Sequence, residues 1–109
     1  MNAITDYHAH VYFDADTRER AGQLCEAARK TFALSVGRMH DKPVGPHPRG
    51  SCQLAFKSEE FAKVMPWLIV NRGPLTIFAH AETGDVIKDH TDHVIWLGPS
   101  ETLNLEALS

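Results

Sequence analysis

The sequence predicts an α+β fold, a single antiparallel sheet with both helices on one face, threaded in the order β-α-β-β-α-β. Three observations predict it. Tyr7 to Phe13 alternates with the period of a strand, two stretches of helical period each follow a strand-like run, and turn residues mark the junctions. The 109 residues suit one domain, 1–109, without room for a second.

In the first strand Tyr7, Ala9, Val11 and Phe13 point one way and His8, His10 and Tyr12 the other. Asp16 or Thr17 then caps a first helix over 17–32, where Ala21, Leu24, Cys25, Ala28 and Phe32 recur at helical spacing. "FALSVGRM" (32–39) reads as a second strand with Leu34 and Val36 inward. "DKPVGPHPRG" (41–50) holds three prolines and two glycines between patterned segments, which predicts a structured loop. Cys52 to Phe56 is a short third strand. Ser58 is the expected N-cap of a second helix running to about Val70 or Asn71, with Phe61, Val64, Met65, Leu68 and Ile69 as its stripe. Pro66 inside that stripe predicts a kink or break. Gly73 and Pro74 stop the helix. Leu75 to His80 forms a fourth strand, "AETGD" a turn, Val94 to Leu97 a short fifth extended segment, and "SETLNLEALS" a short C-terminal extension. This is the ferredoxin-like, split-βαβ order.

Composition narrows the function. A net charge of −3 with scattered cations (Arg18, Arg20, Arg29, Lys30, Arg38) excludes a nucleic-acid footprint. No apolar run approaches the roughly 20 residues a bilayer needs, so no membrane partner is expected. "MNAITDYHAH" does not read as a signal peptide, and Cys25 and Cys52 read as two reduced thiols, so the expected location is cytoplasmic. No Ser-His-Asp pattern, P-loop or dinucleotide fingerprint is present. The unusual feature is seven histidines.

Some of them converge. His8 and His10 lie roughly 6.6 Å apart along one face of a strand. With the fourth strand antiparallel beside the first, His80 arrives next to them on the face opposite the helices, which is expected to be open. Imidazole suits iron, zinc and copper, and three protein ligands with open positions is the pattern of a catalytic metal site. An H-x-H pair by itself also occurs on solvated faces. His47, held between two prolines, reads as a fourth ligand, a general acid/base, or an exposed turn residue. Arg49 reads as a carboxylate reader or a solvated charge, Arg72 as part of a helix stop or a side chain reaching the site, and Tyr12 as a pocket wall or hydrogen-bond donor. Asp85, Asp89, His90, Asp92 and His93 make a further cluster, for which capping and bracketing of a short strand is the preferred account.

Taken together, "YHAHVYFD", "GPHP", "NRGPLTIFAHAETGD" and "DHTDHVIWLG" resemble the DOPA 4,5-dioxygenase family over about Tyr7 to Leu105. The resemblance implies a ferredoxin-like fold, a homodimer, and extradiol opening of a catechol such as L-DOPA by non-haem iron(II) and O₂. It implies His8, His10 and His80 as metal ligands, with zinc an alternative occupant, and His47 as the catalytic loop histidine. Tyr12, Arg49 and Arg72 are the candidate substrate contacts. One departure is visible: Ala81 and Glu82 stand where the family shows a proline after the ligand histidine. An all-histidine centre is preferred over one completed by Glu82 or Asp85, because the histidines sit on strands and the acids on a turn. The alternative reading is a non-catalytic dimeric protein that takes up zinc or nickel. A third is an interaction module whose histidine face is a wet dimer interface.

Overall fold

The computed structural model describes residues 3–109. The strands are β1 (Asp6–Phe13), β2 (Ser35–Val36), β3 (Gly50–Lys57), β4 (Thr76–Ala81) and β5 (Val94–Leu97); the helices are α1 (Arg18–Thr31), α2 (Ser58–Asn71) and the short α3 (Val86–Asp89). A 3-10 turn at Leu105–Leu108 closes the chain. The sheet order is β2-β3-β1-β4-β5, every pair antiparallel, which is the expected ferredoxin-like arrangement with β5 added beside β4.

The period-2 pattern of β1 decides how the layers assemble. Ala9, Val11 and Phe13 are almost fully buried, and with Leu54 and Phe56 of β3 and Ile77 and Ala79 of β4 they form the helix-facing side. Ala21, Leu24, Cys25 and Ala28 of α1 and Val64, Met65 and Leu68 of α2 close the core from above. Both free thiols, Cys25 and Cys52, lie inside it.

Four local expectations differ from the structure. The second strand shrinks to Ser35–Val36: Gly37 N–H still donates to the Gln53 carbonyl at 2.7 Å, but the next pair is His40 with Ser51. Between those pairs one side advances three residues and the other two, a β-bulge at Arg38 and Met39. Pro66 does not interrupt α2. Pro66 and Ala62, whose carbonyl loses its intrahelical donor, both lie on the exposed side of the helix, where the freed oxygen is not shut away in the core. Lys57 rather than Ser58 occupies the N-cap of α2. The sheet face carrying the histidines is not open: Tyr12 and Phe78 are 0% exposed and His80 1%.

That second face is roofed by three segments. One is the proline loop, turned at Gly45 (φ 54°) so that His47 N–H donates to the Val44 carbonyl at 3.1 Å. The second is α3, capped by the Asp85 carboxylate accepting from Lys88 N–H at 3.1 Å. The third is the C-terminal extension, whose Asn104 N–H donates to Pro46 O at 2.8 Å.

Leu54 is fully buried between both helices and the sheet. Leu54→Ala is expected to cost about 2–5 kcal/mol, read as a lowered denaturant midpoint with unchanged m-value. A loss under ~1 kcal/mol would mean that this layer does not carry the core.

Candidate metal centre

Register builds the centre. β1 and β4 pair with His8 directly opposite His80, and His10, two residues on, lies opposite Phe78. The three imidazoles therefore share one face, with ring centroids 5.8 Å (His8–His10), 5.3 Å (His8–His80) and 5.2 Å (His10–His80) apart. One nitrogen from each lies within 4.8 Å of the other two, so the trio could hold a metal ion.

The hydrogen bonds around the rings fix which nitrogens are free. His80 Nδ1–H donates to the Ala81 carbonyl at 3.0 Å, which leaves its Nε2 lone pair facing inward. His10 Nε2 stands 3.1 Å from His80 Nε2, so His10 is the donor in that contact. Two nitrogens bound to one ion at about 2.1 Å and at a right angle stand about 3.0 Å apart. The His10–His80 spacing thus fits a shared ion in place of the shared hydrogen. His8 Nδ1 lies 2.8 Å from Glu82 Oε1, so its Nε2 is turned away from the carboxylate. Glu82 orients the His8 ring, so an ion held by this trio would meet three imidazoles with one supporting acid behind them.

Burial sets the protonation. His80 is pulled down to about 4, chiefly by burial and despite the Ala81 carbonyl. His47 falls to about 4 for the same reason, reinforced by His90 and His80. His10 lies well below the ordinary imidazole value through burial and its histidine neighbours, and His8 is lowered by burial against an opposing pull from Glu82. All four are neutral at physiological pH, the state in which imidazole offers lone pairs.

His47 is brought onto the centre. Its ring centroid lies 4.0 Å from that of His10, and its Nδ1 lies 2.7 Å from the Tyr12 hydroxyl. Burial, with Glu101 nearby, pushes the Tyr12 pKa up, so the phenol stays protonated. Arg49 is placed differently: it holds Glu101 through two bonds (3.1 and 2.7 Å) and Asp14 through a third contact (3.0 Å), with its guanidinium carbon 5.9 Å from the Tyr12 ring centroid. Arg72 donates to the Leu75 carbonyl at 3.1 Å, at the opposite end of β4 from His80.

His90 is the residue that sequence reasoning set aside. Its ring lies 4.3 Å from that of His80 and 6.0 Å from that of Phe78, and its Nδ1–H donates to the Val86 carbonyl at 2.7 Å. α3 carries it there, and α3 is anchored by buried Asp89, which accepts from Thr83 N–H, Thr83 Oγ1–H (both 2.7 Å) and His93 Nδ1–H (2.9 Å). The available signal was "GDVIKD", an Asp cap before an apolar pair. Trp96, 4.6 Å from Phe78 between ring centroids, completes the aromatic wall.

Fold and centre together define a small ferredoxin-like α+β protein with three imidazoles gathered on one sheet face. The chain belongs to the Dopa 4,5-dioxygenase family, whose model matches residues 7–107. It is 36% identical over 114 residues to the DOPA 4,5-dioxygenase of Amanita muscaria, an alignment covering 96% of this chain and 50% of that protein. It is 33% identical over 111 residues to an uncharacterized 21.2 kDa protein of Botryotinia fuckeliana, covering 91% of this chain and 61% of the other. The chain therefore spans about half to three-fifths of those relatives' length. A crystal structure from Nostoc punctiforme, titled "putative dioxygenase", superposes with a TM-score of 0.94 at 48% identity, covering 96% of this chain and 91% of that one.

The buried imidazoles make an acid-labile fold when no metal is bound. The unfolded chain takes up protons near 6.5, whereas folded His80 and His47 resist them to about 4. The unfolded state thus binds more protons across that window, so stability present above 6.5 is lost as pH falls. For His80 the loss is at most roughly 3 kcal/mol. The Tm of metal-free protein is expected to fall steadily through this range; a flat profile would contradict the burial argument.

Removing Asp89 is expected to unseat α3. Asp89→Ala leaves the Thr83 N–H and His93 Nδ1–H without their acceptor, at a cost of about 1–3 kcal/mol. Faster amide exchange over 83–93, with β1 and β4 still protected, is the expected readout.

Proposed function

We propose that the protein is a non-haem iron(II)-dependent extradiol dioxygenase that opens the ring of a catechol such as L-DOPA with O₂. The observation that carries this reading is the spacing of His8, His10 and His80 on adjacent strands, two of them with Nδ1 already engaged, in a member of the Dopa 4,5-dioxygenase family. The same set admits zinc, because imidazole is a borderline ligand.

Iron(II) held by His8, His10 and His80 would supply open positions at which a catechol and O₂ meet, together with the one-electron chemistry that O₂ requires. The chain supplies the rest. Glu82 orients His8, and the Ala81 carbonyl orients His80. His47 is the acid/base. With the Tyr12 hydroxyl donating to Nδ1, its Nε2 carries a proton to give; with the hydroxyl rotated to accept from Nδ1–H, Nε2 is free to take one. Tyr12 is in this way a positioning residue that sets the tautomer of His47 without losing its own proton. Phe78 and Trp96 keep water from the inner side of the centre. Arg49 and Arg72 are assigned to bracing the ends of the site: Arg49 pins the C-terminal extension beside Tyr12, and Arg72 ties off the turn before β4. In this reading the protein works as a homodimer in the cytoplasm.

Protein purified without oxygen and loaded with iron is expected to turn L-DOPA or caffeate into a yellow ring-opened product. Bound iron with no turnover of any catechol would leave the non-catalytic metal-binding reading in its place. His10→Ala and His80→Ala are expected to abolish stoichiometric metal binding, and Glu82→Ala to weaken metal affinity about 10–100-fold. Unchanged metal content in all three variants would remove the site from this face of the sheet.

A further inference from the structure

We infer that Arg38, thrown out of the ladder by the β-bulge, is a specificity residue that reads an anionic tail on the catechol. The inference rests on the dioxygenase reading above and deepens it by naming the residue of this chain that would discriminate a catechol bearing a carboxylate from a neutral one.

The observations are local. A cavity of about 160 Å³ lies against the centre, and His10 and His47 belong to both. Arg38, His40, Ser51 and Gln53 are also among its lining residues, and no Asp or Glu is. The volume is below the roughly 300 Å³ at which whole-ligand pockets begin, so it suits a substituent rather than a complete substrate. The bulge explains why an arginine is present. Regular pairing from Val36–Leu54 through Gly37–Gln53 would continue with Arg38 opposite Cys52, whose side chain is in the helix-side core. The extra residue breaks that alternation and restores pairing only at His40–Ser51, leaving Arg38 beside the cavity.

Charge completes the argument. Arg18, Arg29 and Arg49 each have a carboxylate partner, Arg72 donates to a carbonyl, and Arg20, which has no acidic partner among the described residues, is not part of the cavity lining. Arg38, exposed at the cavity, has no acidic partner among the described residues. A guanidinium without a carboxylate, beside a compartment lined by hydrogen-bonding side chains, is complementary to a carboxylate from outside, which it can hold through two parallel N–H···O bonds. A catechol bound at the centre would have its ring near His10 and its tail toward Arg38.

The test compares caffeate with 4-methylcatechol on wild-type, Arg38→Gln and Arg38→Lys proteins. Ring opening is measured on the iron-loaded forms, and binding by calorimetry on the zinc-loaded forms. Arg38→Gln is expected to raise KM and Kd for caffeate about 10–100-fold while moving 4-methylcatechol by no more than about twofold. Arg38→Lys should retain part of the preference. Gly37→Val, whose Cβ would stand 3.5 Å from that of Gln53 in ordinary contact, should crowd the same compartment and penalise caffeate selectively. Equal effects of Arg38→Gln on the two ligands, or no caffeate binding by the zinc-loaded wild type, would overturn the inference. If neither catechol is opened but caffeate binding still depends selectively on Arg38, the oxygenase reading fails and the anion subsite stands.

Discussion

The pairing of β1 with β4 is the constraint on which the rest depends. His8 stands opposite His80 only in this register, and a one-residue slip of β1 would turn His8 and His10 into the helix-side core and Ala9 and Val11 out of it. The centre is therefore held in register by side chains that never touch it. Ala9, Val11 and Phe13 on one side of the strand meet α1 and α2, and their burial places the imidazoles on the other. Stability and chemistry use opposite faces of the same eight residues.

Gathering several imidazoles under a roof has an electrostatic consequence. Each depresses the others, because one protonated ring disfavours a second nearby, and burial disfavours them all. A cluster held neutral in this way is short of protons and rich in lone pairs. The one Nε2 hydrogen between His10 and His80 is then a placeholder that a cation can displace, since His10 can carry its proton on Nδ1 instead. Metal binding at this face would draw on those lone pairs and so couple the ion to the fold.

Most of the fold was legible because period and punctuation agreed. The alternation of Tyr7–Phe13, the helical stripes expected to end at Phe32 and at about Val70 or Asn71, and the Gly73–Pro74 stop all correspond to observed elements, with the first helix ending one residue early at Thr31. The trio His8, His10 and His80 followed from strand period plus topology alone. What escaped was set by single hydrogen bonds or by chain geometry without a sequence period. The bulge after Gly37 turns on one extra residue between two pairings, and α3 on one Asp85 cap and the buried Asp89. The roof over the histidine face depends on long-range contacts such as Asn104 with Pro46 and Glu101 with Arg49, which no local pattern encodes. His90 looked like a bracket for a strand because its meaning lies in the His80 ring it packs against, ten positions away in the chain.

The division between strands and irregular segments also explains how specificity could vary without loss of the centre. His8, His10 and His80 sit on paired strands whose ladders leave them little freedom, as a site that must hold ligand nitrogens within tenths of an ångström requires. His47, His90 and Arg38 sit on a proline loop, at the C-cap of a four-residue helix and in a bulge, each replaceable without disturbing a ladder of the central strands. A change in the bulge alters what lies beside the cavity while His10 stays opposite Gln53 and Phe78. Within this architecture the three clustered imidazoles are a consequence of sheet register, and the groups around the neighbouring cavity are local decisions of the chain that leaves and rejoins it.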